Sequence, residues 1–184
     1  EHAGDAVVPD NEMGGYLLAS HLYELGHERI GVIAGPKQLT TTTDRLAGLR
    51  RAAREHGHKL PATRVAYADF DRTSGAEAAA ALLDIEPDLT AMAALNDSMA
   101  IGALSLLRSR GIAVPERVSV IGFDDMPIAR DVTPALTTVR LPLVDMGARA
   151  MTLALEEPAD HTAPRIEQVG AELVRRDSTG APRP

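Results

Sequence analysis

Short apolar runs alternate along the chain with stretches in which leucine and alanine recur at helical spacing. The apolar runs, each followed by glycine, asparagine or aspartate, are residues 29–34, 64–68, 90–95 and 118–121. The helical stretches around them are residues 11–25, 43–56, 74–83 and 98–110. A continuous apolar run is typical of a strand buried on both faces, and strands that alternate with helices form βαβ units. The pattern therefore predicts an α/β fold with a parallel sheet and helices on both of its faces.

Polar residues near the helix starts predict where the helices begin. Asn11 is placed to cap the first helix, and Ser74 opens the S-x-x-E pattern of a capping box. The second helix is expected to open at Thr43 or Asp44. On this interpretation the run Thr40–Thr43 is a loop over the mouth of a pocket.

The last part of the chain carries weaker patterns. They predict a strand at 136–139, a helix at 143–156, a final strand at 166–174 and a frayed tail at 180–184. One face of the helix at 143–156 is polar and the opposite face is apolar, so the apolar face needs a partner. The helix must fold back on the rest of the chain, pair with another copy of the chain or stay disordered, and we expect pairing.

Polar and aromatic side chains follow the predicted strands, at the edge where ligands bind in open parallel sheets. The candidates are Arg45, Phe70, Asn96 and Asp124, with Thr41 as a weaker contact. An arginine presents a fork of donors, an aspartate accepts from hydroxyl groups, an asparagine does both, and a ring covers a C–H face. The set is therefore expected to bind a small polyhydroxylated ligand.

Each candidate also has a structural interpretation that the sequence leaves open. Asp124 could cap the turn after it instead of binding ligand, and Asp125 is expected to cap or to pair. Either Asn96 or Asp97 must cap the helix that starts there. Phe70 lies in a polar loop, which favours a pocket position over a core position. A Mg²⁺ site at the two adjacent aspartates is a minor alternative.

Composition narrows the classes of function. The 184 residues are 45% hydrophobic, enough for one domain with a sizeable core. The formal net charge of −7 argues against nucleic-acid binding by this chain alone, because phosphates are bound by Lys and Arg. The absence of cysteine excludes a disulfide framework and fits a reducing cytoplasm. No apolar run approaches the roughly 20 residues of a membrane span, and residues 1–10 lack the features of a signal peptide.

No sequence motif of a familiar catalytic class is present. A Gly-rich phosphate loop, a His-Glu-x-x-His pair and a Gly-x-Ser-x-Gly elbow are all missing. We therefore expect no enzyme activity, no catalytic residue, no metal site and no cofactor. His27, which follows the first helix, is expected to be a helix C-terminal residue rather than a base or a ligand.

A set of short motifs runs through nearly the whole chain. They are Asp10-Asn11, Ile33-Ala-Gly-Pro36, Arg45-Leu-Ala-Gly48, Asp69-Phe70, Asn96-Asp-Ser-Met-Ala-Ile-Gly102, Gly122-Phe-Asp-Asp125 and Leu136-Thr-Thr-Val139. In this order and spacing they resemble the effector-binding region of the LacI/GalR family of transcription regulators. The resemblance implies a Rossmann-like lobe of a type I periplasmic-binding-protein-like fold, one of two similar lobes with an effector in the cleft between them.

The resemblance also assigns roles to residues. By motif match, Arg45, Asn96 and Asp124 contact the effector, a sugar or sugar derivative, and Phe70 stacks on it. Ile101 and the loop near Val132 are implied to lie in the interface of a homodimer. Operator DNA is implied as a partner only through a helix-turn-helix module that is missing here, and no membrane partner is implied.

The family pattern also predicts how the chain is divided. The predicted segments are residues 1–10, the end of a crossover from a missing amino-terminal lobe; residues 11–127, the carboxy-terminal effector-binding lobe; residues 128–158, a crossover strand and helix of the amino-terminal lobe; and residues 159–184, the final strand of the carboxy-terminal lobe and the tail. The expected function is effector sensing and dimerisation in a cytoplasmic transcription regulator that acts as a repressor. The alternative is a sugar-binding receptor of an uptake system with the same fold, which would carry an export signal or lipid anchor upstream.

Overall fold

Strands and helices alternate along the chain, and the predicted α/β class is confirmed. The structure is a computed structural model that describes residues 4–156 and 164–183. The strands are β1 Ala6–Pro9, β2 Ile30–Ala34, β3 Val65–Tyr67, β4 Ala91–Ala94, β5 Ser119–Asp124, β6 Thr137–Arg140, β7 Ile166–Val169 and β8 Glu172–Val174. The helices are α1 Asn11–Glu24, α2 Thr40–Glu55, α3 Arg72–Ile85, α4 Asp97–Ser109 and α5 Leu143–Leu155, with short 3₁₀ turns at Ala62–Arg64 and Pro127–Arg130.

A six-stranded sheet in the order β3-β2-β4-β5-β6-β8 forms the centre of the fold. Neighbours from β3 to β6 are parallel, and β8 runs antiparallel to β6. In β5, Gly122 lies against Asp97 of α4, while the next residue, Phe123, lies against Gly14 of α1. Successive residues of a strand point to opposite faces. Helices therefore cover both faces of the sheet, with α1 and α2 packed together on one face and α3 and α4 on the other.

The central strands β2, β4 and β5 are buried along their length, up to the half-exposed Asp124 at the end of β5. Their Val, Ile, Ala and Met side chains pack with leucines of the surrounding helices. Burial does not alternate because both faces are covered, which explains the continuous apolar runs in the sequence. The carboxyl ends of these parallel strands meet at one edge, and the polar residues that follow them meet there too.

The strands in the predicted segments 1–10, 128–158 and 159–184 are divided between two separate sheets. β1 and β7 pair in parallel as a separate two-stranded sheet, and α5 packs on β1. The prediction of one final strand at 166–174 is wrong, because the segment divides into β7 in the small sheet and β8 in the large one. The assignment of the strand at 136–139 to the other lobe is also wrong, because β6 pairs with β5. Residues 1–3, 157–163 and 184 of the predicted segments lie outside the described residues.

Two helix caps and the start of one helix differ from the predictions. The side chain of Asp10, not of Asn11, caps α1 by accepting a backbone hydrogen bond at 2.8 Å. Asp71, not Ser74, caps α3 in the same way at 2.9 Å. A carboxylate is favoured at these positions because it accepts from the free amides of the first turn and complements the helix dipole. The predicted loop Thr40–Thr43 is wrong as well, since these residues form the first turn of α2.

His27 ties the carboxyl-terminal segment to the large sheet. Its buried ring contacts Thr90 Oγ1 through Nδ1 at 3.0 Å, and Ser119 Oγ at 3.1 Å and the Gly180 carbonyl oxygen at 2.8 Å through Nε2. Burial lowers the pKa of His27, against the opposing effect of the hydrogen bond to Gly180. The prediction of a frayed tail at 180–184 is therefore wrong at Gly180, which is held at both its carbonyl group and its amide.

Two surfaces that were predicted to contact a partner differ in their exposure. Ile101, which the family resemblance places in a homodimer interface, is only 5% exposed and belongs to the hydrophobic core of the single chain. The loop around Val132 lines the same depression as Ile101. α5 buries Leu153, yet Val144 and Leu155 are 85% and 78% exposed. No helix among the described residues is long and apolar enough to span a bilayer.

Candidate functional site

Arg45 is the centre of the polar edge of the sheet. Its guanidinium group donates from Nε to Asn11 Oδ1 at 2.9 Å, from one terminal nitrogen to the Leu95 carbonyl oxygen, and from the other to Asp124 Oδ1 at 3.2 Å. Asn11 begins α1, Leu95 follows β4 and Asp124 ends β5. Arg45 itself lies on α2 and is 5% exposed. One buried cation therefore links two helices to the carboxyl ends of two central strands.

The Phe123 ring supports Arg45 from the sheet side. The guanidinium carbon lies 3.6 Å from the ring centroid, and the ring packs on Gly14 of α1. A cation is attracted to the face of an aromatic ring, and here the ring cannot turn away because it is fully buried. Phe123 is therefore a support for Arg45 and offers no free face to a ligand.

Burial and pairing oppose each other in the Arg45–Asp124 pair. Burial lowers the pKa of Arg45, and the charge of Asp124 counteracts this effect. Burial raises the pKa of Asp124, and Arg45 counteracts it in turn. The Asp124 side chain is 27% exposed, against 6% for Arg45, and its Oδ2 has no hydrogen-bond partner among the described residues. Asp124 is the half of the pair that a ligand hydroxyl group can approach.

Asp124 and Asp125 form a strained turn. Their φ angles are 105° and 53°, in the region that favours glycine. The 3₁₀ turn that follows has no side-chain cap, so the capping alternative for Asp124 is wrong. Asp125 pairs with Arg140 Nε at 2.8 Å and with Arg176, which confirms its expected pairing. Burial acts to raise the pKa of Asp125, but hydrogen bonds from Arg176 and Arg140 outweigh it and lower the pKa.

Asn96 links two of the predicted contacts. Its Oδ1 accepts from Met99 N at 2.8 Å, which makes Asn96 rather than Asp97 the cap of α4. Its Nδ2 donates to the Phe70 carbonyl oxygen at 2.9 Å. Phe70 has a φ of 62°, and its ring packs on Gly35, where a Cβ atom would overlap the ring. Asn96 holds the Phe70 loop in place and keeps one amide hydrogen for a ligand.

Thr41 lies one helical turn before Arg45 and lines a polar depression. The depression has a volume of about 450 Å³ and is formed by Val8, Pro9, Asn11, Glu12, Thr40, Thr41, Asp44 and Gln168. Asn11 belongs to this depression and also accepts the hydrogen bond from Arg45. Neither the Thr41 hydroxyl group nor the Asp44 carboxylate has a hydrogen-bond partner among the described residues. Thr41 therefore shares a depression with Asn11, the hydrogen-bond partner of Arg45.

Asp97 is a buried carboxyl group that was not predicted as part of the site. Its Oδ1 accepts from Thr138 Oγ1 at 2.6 Å, and its Oδ2 accepts from Met126 N at 2.7 Å. Burial raises the pKa of Asp97 to about 7 against these two hydrogen bonds, and the nearby carboxylates of Asp124 and Asp125 add to the rise. An acid that loses its proton near neutral pH therefore lies under the candidate site.

The structure brings the predicted contacts to one edge in two linked groups. Arg45 contacts Asp124, and Asn96 contacts Phe70. The two groups are linked because Arg45 donates to the carbonyl oxygen of Leu95, the residue directly before Asn96. Whether these side chains contact an effector stays a prediction. Within residues 4–156 and 164–183, no group of three or more His, Asp or Glu residues could hold a metal ion.

The contacts of four further residues at this edge were not predicted from sequence: Asn11, Leu95, Asp97 and Phe123. Asn11 was taken for a helix cap, although it stands in a motif of the family resemblance. Its partner Arg45 is 34 residues away, and no local pattern contains that contact. Leu95 acts through its backbone carbonyl group, which no side-chain pattern can mark.

Comparisons with known proteins agree with the sequence motifs. Residues 19–179 match the family described as the periplasmic binding protein-like domain. The HTH-type transcriptional regulator GalR of Escherichia coli is 39% identical over 96% of this chain and 52% of its own length. The chain thus spans about half the length of the curated relatives it matches.

Solved structures are similar in fold. The complex of the transcriptional regulator CelR with cellobiose has a TM-score of 0.90 and 37% identity, over 95% of this chain and 54% of that one. A sugar-binding transcriptional regulator of the LacI family from Escherichia coli, complexed with phosphate, has a TM-score of 0.86 and 36% identity, over 96% of this chain and 63% of that one. The chain therefore belongs to the periplasmic binding protein-like domain family, and its relatives there are transcription regulators of the LacI/GalR type.

Proposed function

We propose that the chain is the effector-binding and dimerising part of a LacI/GalR-type repressor, and that its effector is a sugar or sugar derivative. The observation that carries the proposal is the buried Arg45–Asp124 pair, with Asn96 beside it, at the carboxyl edge of a parallel sheet. The sugar-binding regulator and the cellobiose complex among the similar structures support the class of ligand. No enzymatic activity is part of the proposal, since the relatives are regulators.

The chemistry of the edge suits hydroxyl groups. Asp124 Oδ2 can accept from a ligand hydroxyl group, and Arg45 has N–H groups beyond those already bonded. A sugar hydroxyl group both donates and accepts, so one such group can bridge Asp124 and Arg45. Asn96 adds an amide hydrogen, Thr41 adds a hydroxyl group in the polar depression, and Phe70 would cover a C–H face.

Effector binding would control DNA binding through linkage. An effector that binds one arrangement of the two lobes more tightly shifts the protein towards that arrangement. Contact with operator DNA is assigned to a helix-turn-helix module outside this chain, because the net charge of −7 disfavours phosphate binding here. A cytoplasmic location follows from this role. In a gel shift at low salt, this chain alone is expected to form no complex with duplex DNA, and a shifted band would contradict the assignment.

The proposed homodimer uses the surface around Val132. Val132 and Ile101 line a depression of about 310 Å³, and a second depression of about 280 Å³ lies beside it. The two share Leu104, Arg108 and Thr133. Side chains of a second copy could fill such adjoining hollows, as interface cores require. Because Ile101 is nearly covered within one chain, Val132 is the better position for a disruptive substitution.

Calorimetric titration with a panel of pentoses, hexoses and disaccharides tests the proposal. We expect one class of sugar to bind, and Asp124→Ala to weaken its binding about 10- to 150-fold, which corresponds to about 1.5–3 kcal/mol for a lost hydrogen bond to a charged group. Asp84→Ala is the control, because Asp84 is an exposed aspartate at the far end of α3. The full-length protein should bind more tightly than this chain, since the resemblance implies a second wall of the cleft from the other lobe.

Two results of this titration would count against the proposal. Unchanged affinity in Asp124→Ala would remove Asp124 from the site. If the full-length protein bound no sugar of the panel, the sugar-responsive function would be wrong.

A further inference from the structure

Asp97 connects three elements below the candidate site. It is the first residue of α4, directly after the cap Asn96, and it is fully buried. One carboxyl oxygen accepts from Thr138 on β6, and the other accepts from Met126 N beyond the end of β5. The carboxyl group lies over the backbone of Gly122, where a Cβ atom would overlap Oδ1. Position 122 therefore needs glycine, since any side chain would displace Asp97.

The hydrogen bond to Met126 holds one end of the strained turn. The other end is held by the pairing of β5 with β6, in which Asp124 lies opposite Arg140. Between these anchors, Asp124 and Asp125 have φ angles of 105° and 53°. Such a backbone persists only when the surrounding structure holds it on both sides. The position of Asp124 relative to Arg45 therefore depends on Asp97.

Charged groups surround Asp97 closely enough to respond to its protonation. Asp124 and Asp125 face it from the end of β5, and Arg45 faces it from α2. Asp125 is already paired with three arginines, Arg130, Arg140 and Arg176, whereas Asp124 pairs with Arg45 alone. The pKa of Asp97, raised by burial to about 7, means that its charge changes near neutral pH.

We propose that Asp97 is a proton-dependent positioning residue, which holds the Asp124–Met126 turn and adjusts the Arg45–Asp124 pair by gaining or losing one proton. As a carboxylate it accepts both hydrogen bonds, repels the Asp124 carboxylate and attracts the Arg45 guanidinium group through its charge, without contact. With a proton on Oδ1 it can donate to Thr138 Oγ1, still accepts from Met126 N through Oδ2, and leaves Arg45 to Asp124. The consequence for effector affinity rests on the proposed function, but the positioning role does not.

Nuclear magnetic resonance of this chain tests the proposal without any effector. The probes are the backbone amide of Met126 and the Nε–H group of Arg45, followed over several pH units on either side of neutrality. We expect both to titrate with a common midpoint near 7. Asp97→Asn cannot titrate but keeps an acceptor for Met126 N, so it should abolish the titration and preserve the protection of this amide from hydrogen exchange. Asp97→Ala should reduce that protection by about tenfold or more, since the hydrogen bond is lost.

Thr138→Val keeps the proposal falsifiable even if Asp97→Ala does not fold. The substitution retains the volume of the side chain and removes the hydroxyl group that favours the carboxylate form, so the midpoint should rise above that of the wild type. The proposal is overturned if the Met126 amide does not titrate, if it titrates equally in Asp97→Asn, or if Thr138→Val leaves the midpoint unchanged. A failure of sugar binding would leave all of these readouts intact, so the two proposals fail separately.

Discussion

Arg45→Lys tests whether the planar guanidinium group holds the edge of the sheet together. The guanidinium group donates to Asn11, to the Leu95 carbonyl oxygen and to Asp124, whereas the compact ammonium group of lysine lacks the fork needed to reach all of them. Asn11 is 9% exposed and Leu95 is 0% exposed, so water does not replace the lost donors. Each buried acceptor left without a donor costs about 1–3 kcal/mol, and two of them cost roughly 2–6 kcal/mol. This is a large share of a typical stability of about 5–15 kcal/mol.

Arg51→Lys is a matched control on the same helix. Arg51 also binds a carboxylate, Glu12 Oε1 at 2.8 Å, and its guanidinium carbon lies 4.5 Å from the centroid of the Tyr16 ring. Its side chain is 32% exposed, so water compensates and the expected cost is about 0–1 kcal/mol. Urea denaturation followed by circular dichroism measures both variants. A loss in Arg45→Lys no larger than that in Arg51→Lys would refute the reasoning that buried partners decide the cost.

Three further substitutions test other parts of the structure. Burial lowers the pKa of His27 and of His21 in the folded protein, so the unfolded chain binds protons more readily than the folded chain. The folding free energy from these two residues is therefore complete above the unfolded pKa of about 6.5. It is lost as the pH falls from that value towards the lower pKa of the folded state. His27→Gln should therefore make urea stability less dependent on pH, and an equal acid loss in the variant would contradict this. Asn96→Ala removes the cap of α4 and the hydrogen bond to the Phe70 carbonyl group, and should lower the free energy of unfolding by about 1–3 kcal/mol in the same assay. Asn96→Asp keeps the capping oxygen, so its stability should lie between those of Asn96→Ala and the wild type. Equal losses in both variants would assign the whole effect to the lost amide donor. Val132→Asp should convert the proposed dimer to a monomer in sedimentation equilibrium with an unchanged circular dichroism spectrum, and an unchanged dimer would place the interface elsewhere.

The central strands could be predicted because burial on both faces leaves a continuous apolar run, as at 118–121. The start of α2 could not, because Thr40–Thr43 has low helix propensity and its helical form depends on contact with the rest of the fold. The sheet membership of 136–139 and 166–174 was mispredicted for a related reason. A strand's own residues show that it is extended, but backbone pairing with β5 or with β1 decides which sheet contains it.

Some features of the candidate site could also be predicted from local sequence, and others could not. That Phe70, Asn96 and Asp124 follow the ends of strands is a local property, and the edge at which they meet follows from a parallel sheet. The pairing of Asp125 was predicted as well, but its partners Arg140 and Arg176 lie 15 and 51 residues away and are identified only by the structure. Ile101 is different, because its burial within one chain depends on contacts with other elements that the pattern of one helix does not contain.

Local patterns were thus sufficient for the α/β class, for the order of the central elements and for the side chains that reach the carboxyl edge, because periodicity and strand ends are written into consecutive residues. The contacts of Arg45 with Asn11 and Leu95, the support from Phe123 and the burial of Asp97 were decided by the tertiary structure alone. Each joins elements that are far apart along the chain, and each depends on distances of about 3 Å between groups that a one-dimensional pattern does not relate.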